Sequence, residues 1–168
     1  MEFKRIISMD TTTFIGMNFY GDPFEKASAW SEENEIGELW KRFSRYLEVH
    51  PDSIKNIKQK GISYEIHFQT EDTAAKGYFD VFAGVMTENA DYIPLGCIAR
   101  QLPPSKYAVI TLRGNEIISD WGKSVFMEWL PASGYELSYN YVIQCYDEQF
   151  KDMSQVEQSE LDLYIPIK

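Results

Sequence analysis

An eight-residue stretch, Phe14-Ile15-Gly16-Met17-Asn18-Phe19-Tyr20-Gly21, lies without a gap over Tyr107-Ala108-Val109-Ile110-Thr111-Leu112-Arg113-Gly114. Both read as strands stopped by glycine. The segments after the two stretches are also alike. After the first, Ile36, Leu39, Trp40, Phe43 and Leu47 recur at three- and four-residue spacing and predict one apolar helix face. Ser31, trailed by Glu32, Glu33 and Glu35, reads as the N-cap with acids in the first turn, and His50-Pro51-Asp52 as the stop. Two strands are expected next, Gly61 to Gln69 and Gly77 to Met86, joined by a hairpin loop over 70–76. After the second stretch, Ile118, Trp121, Val125, Trp129 and Leu130 share a helix face that Pro131 and Gly134 end. The strands Ser138 to Tyr146 and Leu161 to Ile167 then close the chain around a polar loop, 147–160.

Strand, helix, strand, strand therefore occurs twice, over pseudo-repeats of about 1–90 and 91–168, with an extended segment at 3–9 and a connector at 87–104. Two such halves can pool their strands into antiparallel sheet and pack both helices against it. The expectation is one α+β domain covering residues 1–168.

The net charge is −10, from 26 acidic and 16 basic residues. That field repels phosphate backbones and anionic headgroups, which argues against direct binding of nucleic acid or membrane and favours cationic ligands or a basic protein partner. The start of the chain has no long apolar core of a signal peptide, and no run approaches the roughly 20 apolar residues of a membrane span. Cys97 and Cys145 lack the spacing of a zinc site or a disulfide framework. The chain reads as cytoplasmic, with reduced thiols.

No phosphate loop, dinucleotide fingerprint or nucleophile elbow is present, and Ser133 has no evident base. No catalytic set, metal site or cofactor is assigned. His50 ends a helix, and His67 alternates outward on a strand. Asp80 is a polar residue in an apolar strand, a solvent-facing position or a ligand-facing acid. Aromatic residues make up 15% of the chain and can fill a core or line an apolar pocket. Alternation puts Asn140, Val142, Gln144 and Tyr146 on one strand face and Tyr139, Tyr141, Ile143 and Cys145 on the other.

Three pieces in order carry a resemblance: Pro103 to Val109 (Pro-x-x-x-Tyr-Ala-Val), Trp129-Leu130-Pro131-x-Ser133-Gly134, and Tyr164-Ile165-Pro166-Ile167. With them the chain resembles the GyrI-like effector-binding domain, the ligand-sensing module found alone or fused to bacterial transcription regulators of the AraC and MerR types. The resemblance implies a ligand groove near a pseudo-twofold axis and a stand-alone module holding a small apolar or cationic molecule, serving transcriptional regulation or drug sequestration. It implies Gln144 and Tyr164 as ligand-facing, with Trp40, Trp121, Tyr64, Phe82 and Tyr107 as lining residues. Many members carry a glutamate where this chain has Gln144, so a neutral ligand, or cation binding by aromatic faces, becomes more credible. On the same resemblance, Gln144→Glu would raise affinity for lipophilic cations. Two alternatives come with it: an acidic protein inhibitor of DNA gyrase, and a hydrolase of electrophilic small molecules with Glu65, Glu128 or Glu136 in place of the missing acid.

Overall fold

The computed structural model describes residues 1–26 and 33–168. The expected N-cap Ser31 lies outside the described residues. Eight strands form: β1 (Glu2–Met9), β2 (Thr12–Gly21), β3 (Ser63–Gln69), β4 (Phe79–Thr87), β5 (Ile98–Leu102), β6 (Ser105–Arg113), β7 (Tyr141–Tyr146) and β8 (Glu160–Ile167). They make one sheet in the order β1-β6-β8-β7-β3-β4-β2-β5, with every pairing antiparallel. The fold is α+β.

The order is the same from either edge when the two halves are exchanged. The trio β6-β8-β7 abuts β3-β4-β2, and the strand that leads each half crosses over to pair in the other. Strand β5 comes from the segment read as a connector. Its five residues are too short and too mixed to show alternation, and pairing with β2 is what makes it a strand.

Helix α1 (Glu35–Val49) begins where the Asn34 side chain accepts from Gly37 N–H at 2.9 Å, and its N-terminal turn carries Glu35 and Glu38. Asn34→Ala is expected to cost about 1 kcal/mol of stability in a urea titration. The short helix α2 (Thr73–Lys76) tightens the expected hairpin loop and ends at Gly77, whose φ of 71° suits glycine. The second large helical segment is irregular. It runs through α3 (Trp121–Lys123), a π-helical stretch (Ser124–Trp129) and α4 (Leu130–Ser133). Pro131 lies inside it rather than ending it; the left-handed Gly134 is the stop. The wide turn before Pro131 makes room for a ring that would otherwise press on the preceding carbonyls. Ile118 precedes this segment and stays partly exposed, so it does not belong to the helix face expected of it.

Strand alternation sorts the core into three clusters. On one face Leu39 and Phe43 of α1 pack on Ile15, Met17, Val81, Ala83 and Val85. On the same face Val125 packs on Ile110, Leu112, Leu161 and Leu163. Helix α1 packs mainly on β2 and β4, so the central strands β3 and β7 lie between the two packed regions. On the other face, Phe14, Tyr64, Phe82 and Tyr107 are fully buried, and among the described residues no helix packs on them. Edge strands β1 and β5 add Ile7, Met9, Ile98 and Leu102 to that same cluster, so the sheet rolls over its own inner face.

Candidate functional site

Between the two helical regions, β3 and β7 form the floor of an open cleft of about 1230 Å³. The floor is polar because Ser63, Glu65, His67 and Gln69 alternate on this face of β3, while Tyr64, Ile66 and Phe68 point to the rolled face. The walls are aromatic: Trp40 belongs to the packed region of α1, and Trp121, Phe126 and Phe150 to the other. Trp40 meets the Tyr146 ring edge-on at 5.1 Å, and Tyr146 meets Phe150 at 4.8 Å.

Glu65 stands directly opposite Gln144 in the β3–β7 ladder, and both are 1% exposed. Three donors surround the carboxylate. The Trp40 indole N–H bonds Oε2, Gln144 Nε2 donates to Oε1 at 2.7 Å, and His67 Nε2 lies 2.6 Å from Oε1. Tyr146 donates its hydroxyl to Gln144 Oε1 at 3.2 Å, which turns the amide's NH₂ toward Glu65. Burial, then the nearby Glu65 charge, pushes the Tyr146 phenol well above its ordinary range, so it remains a donor. The result is a desolvated carboxylate held by fixed donors beneath aromatic rings. Such a group can act chemically as a counter-charge to a cation.

Of the side chains expected in the groove, Gln144, Trp40 and Trp121 line this cleft. Tyr64, Phe82, Tyr107 and Tyr164 do not. They point to the rolled face, where Phe82 is core, Tyr64 stacks edge-on with Phe14 at 5.2 Å, and Tyr107 shares a 2.7 Å hydroxyl hydrogen bond with Tyr141. The ladder gives the reason. Tyr64 pairs with Cys145, which alternation already sets on the opposite face from Gln144.

Tyr64, Tyr164 and Cys145 border a second, smaller pocket of about 290 Å³. Burial raises the Cys145 thiol to about 11. Cys145 is therefore expected to stay unmodified by a disulfide reagent at about pH 8 until the protein is unfolded. Labelling followed by mass spectrometry checks this.

Alternation alone turns His67 outward, yet in the fold it faces the cleft and contacts Glu65. The readable signal is four polar residues in alternation on a strand whose other face is apolar. Outward on that strand means the cleft rather than open solvent. Asp80 forms an ion pair with Arg100 and accepts from Asn18 at 2.9 Å, so it is not the acid of this site. Glu128 is exposed, and Glu136 pairs with Lys168. Among the described residues, no group of three His, Cys, Asp or Glu side chains is placed to hold a metal, and no helix is long and apolar enough to cross a membrane.

The two central strands of an antiparallel sheet thus floor an aromatic-walled cleft. The chain belongs to the family described as Cass2, integron-associated effector binding protein, whose profile matches residues 5–167. It is 27% identical over 164 residues to the transcriptional regulator BrlR of Pseudomonas aeruginosa, covering 97% of this chain and 54% of the regulator. The chain thus spans about half the length of that relative. Among solved structures, the protein SAV2435 bound to tetraphenylphosphonium superposes with a TM-score of 0.70 at 14% identity, over 100% of this chain and 94% of that one. The integron cassette protein Cass2 of Vibrio cholerae superposes with a TM-score of 0.61 at 12% identity, over 98% and 95% of the two chains.

Proposed function

We propose that this protein binds lipophilic aromatic cations in the cleft, with Glu65 as the counter-charge and the Trp40 and Trp121 walls as the apolar envelope. The observation that carries the reading is the buried Glu65 carboxylate at the centre of the floor, oriented by Trp40, His67 and Gln144. Gln144 stands where the resemblance leads one to expect the acid. Glu65, directly across the ladder, supplies the charge instead. The cleft exceeds the range of about 300–1,000 Å³ common for small-molecule sites, room enough for a multi-ring cation. The tetraphenylphosphonium bound to SAV2435 is a cation of that class. The likeness to BrlR supports a role in ligand-responsive transcription. Sequestration of a toxic cation uses the same site.

Tetraphenylphosphonium and tetraphenylborate have nearly the same shape and opposite charge, so together they isolate the contribution of Glu65. At 100 times its Kd, the phosphonium should stabilise the fold by about 2.7 kcal/mol, raising the melting temperature by roughly 5–10 °C. The borate should leave it unchanged. Equal shifts for both ions, or none for either, overturn the reading.

A further inference from the structure

We propose that His67 decides whether the cleft accepts a cation, because its imidazole and the ligand compete for the single charge on Glu65. This inference rests on the cation-binding reading above. Glu65 and His67 are two residues apart on β3 and point into the same cleft, with Nε2 and Oε1 2.6 Å apart. At that distance Nε2 must carry a hydrogen, since its bare lone pair would face a carboxylate. The neighbouring Gln144 amide nitrogen, 3.3 Å from Nε2, directs its hydrogen to Glu65 Oε1 at 2.7 Å. Nδ1 has no hydrogen-bond partner among the described residues, and the side chain is 16% exposed. Nδ1 is therefore the nitrogen that gains or loses the second proton.

The groups around the ring define what else acts on it. On β7, Gln144 and Tyr146 complete the Glu65 network, and on β4 the Phe79 ring lies 6.3 Å away. Trp40 of α1 holds the far oxygen of Glu65. Among the described residues, the other charged groups lining the cleft are Lys41 on α1, with Asp120, Asp147, Lys151 and Asp152 on the loops. None of these is hydrogen-bonded to His67, whose close partner is the Glu65 carboxylate. The proton on His67 is thus coupled first to Glu65.

A protonated His67 leaves the floor neutral, and a cationic ligand then gains nothing from Glu65 unless a proton leaves. A neutral His67 leaves the floor with one negative charge. Affinity for a cation therefore rises as pH rises and His67 gives up its second proton, and binding releases that proton. An uncharged aromatic ligand shows no such dependence.

The test is calorimetric titration of the full chain with tetraphenylphosphonium between about pH 5 and pH 8, in buffers of different ionisation enthalpy. Wild-type affinity should weaken by about tenfold or more from the upper to the lower end, with proton release on binding. His67→Asn and His67→Gln keep a polar, uncharged group beside Glu65, and either, once shown to be folded by circular dichroism, should cut the change to about twofold or less. A flat wild-type profile overturns this proposal while leaving cation binding intact, as does an unaltered slope in a folded variant. Failure to bind the phosphonium at any pH overturns the cation reading and this proposal with it.

Discussion

With glutamine in place of Glu65, tetraphenylphosphonium affinity is expected to fall about 100-fold, a loss of about 2.7 kcal/mol. The carboxylate is 1% exposed, and the Gln144 amide and Tyr146 phenol beside it are neutral. Its attraction for a cation is little screened there, and removing one partner of a buried charge contact costs about 2–5 kcal/mol. Aromatic contact with the walls survives the substitution, which is why binding weakens rather than disappears. Fluorescence titration of the folded variant reads the loss. A change of less than about threefold would mean that the charge on Glu65 plays no part.

The exchange Glu65→Gln with Gln144→Glu refines that result. It returns the carboxylate to β7, directly across the ladder, and should recover most of the lost affinity. Gln144→Glu alone should not raise affinity, contrary to what the sequence suggests. The new carboxylate would lie against Glu65, where Oε1 and Nε2 are now 2.7 Å apart. Two carboxylates in such contact share a proton, so the net charge of the floor stays near −1.

The second large effect is on stability. Gly16→Ala is expected to cost about 3 kcal/mol or more. Gly16 of β2 faces Gly84 of β4 in the ladder, on the side of the sheet that rolls inward. A Cβ on Gly16 would sit 2.1 Å from the Ala83 carbonyl oxygen and 2.5 Å from the Gly84 Cα. Both obstacles are backbone, so no side-chain rotation relieves them. Neither glycine has a positive φ, and the requirement is close approach alone. Urea unfolding with constant m-value measures the cost. A loss under about 1 kcal/mol would show that the strands can separate freely there.

Much of the fold was legible because its signals are local. The Ile36–Leu47 periodicity marked α1, and alternation in 138–146 placed Gln144 and Cys145 on opposite faces, as the ladder has them. Trp121, Val125 and Trp129 fall at uniform four-residue spacing, which suits the wider π-helical turn better than a regular helix. The site was half legible. Trp40, Trp121 and Gln144 line the cleft, while Tyr64, Phe82, Tyr107 and Tyr164 face the rolled core. Aromatic strand residues group by face, not by kind, and these four share the face opposite Gln144. Alternation divides a strand into two faces but does not say which meets water, a core or a ligand.

By itself the sequence determined the kinds of elements, their two-fold recurrence and the two-sidedness of each strand, because these depend on neighbours within a few residues. Only the tertiary structure decided that β3 lies beside β7. That pairing brings Glu65 against Gln144, 79 positions later in the chain, and leaves both beneath the gap between the helices. Strand order is a long-range choice made by packing, and it turned an ordinary polar strand face into the floor of a binding site.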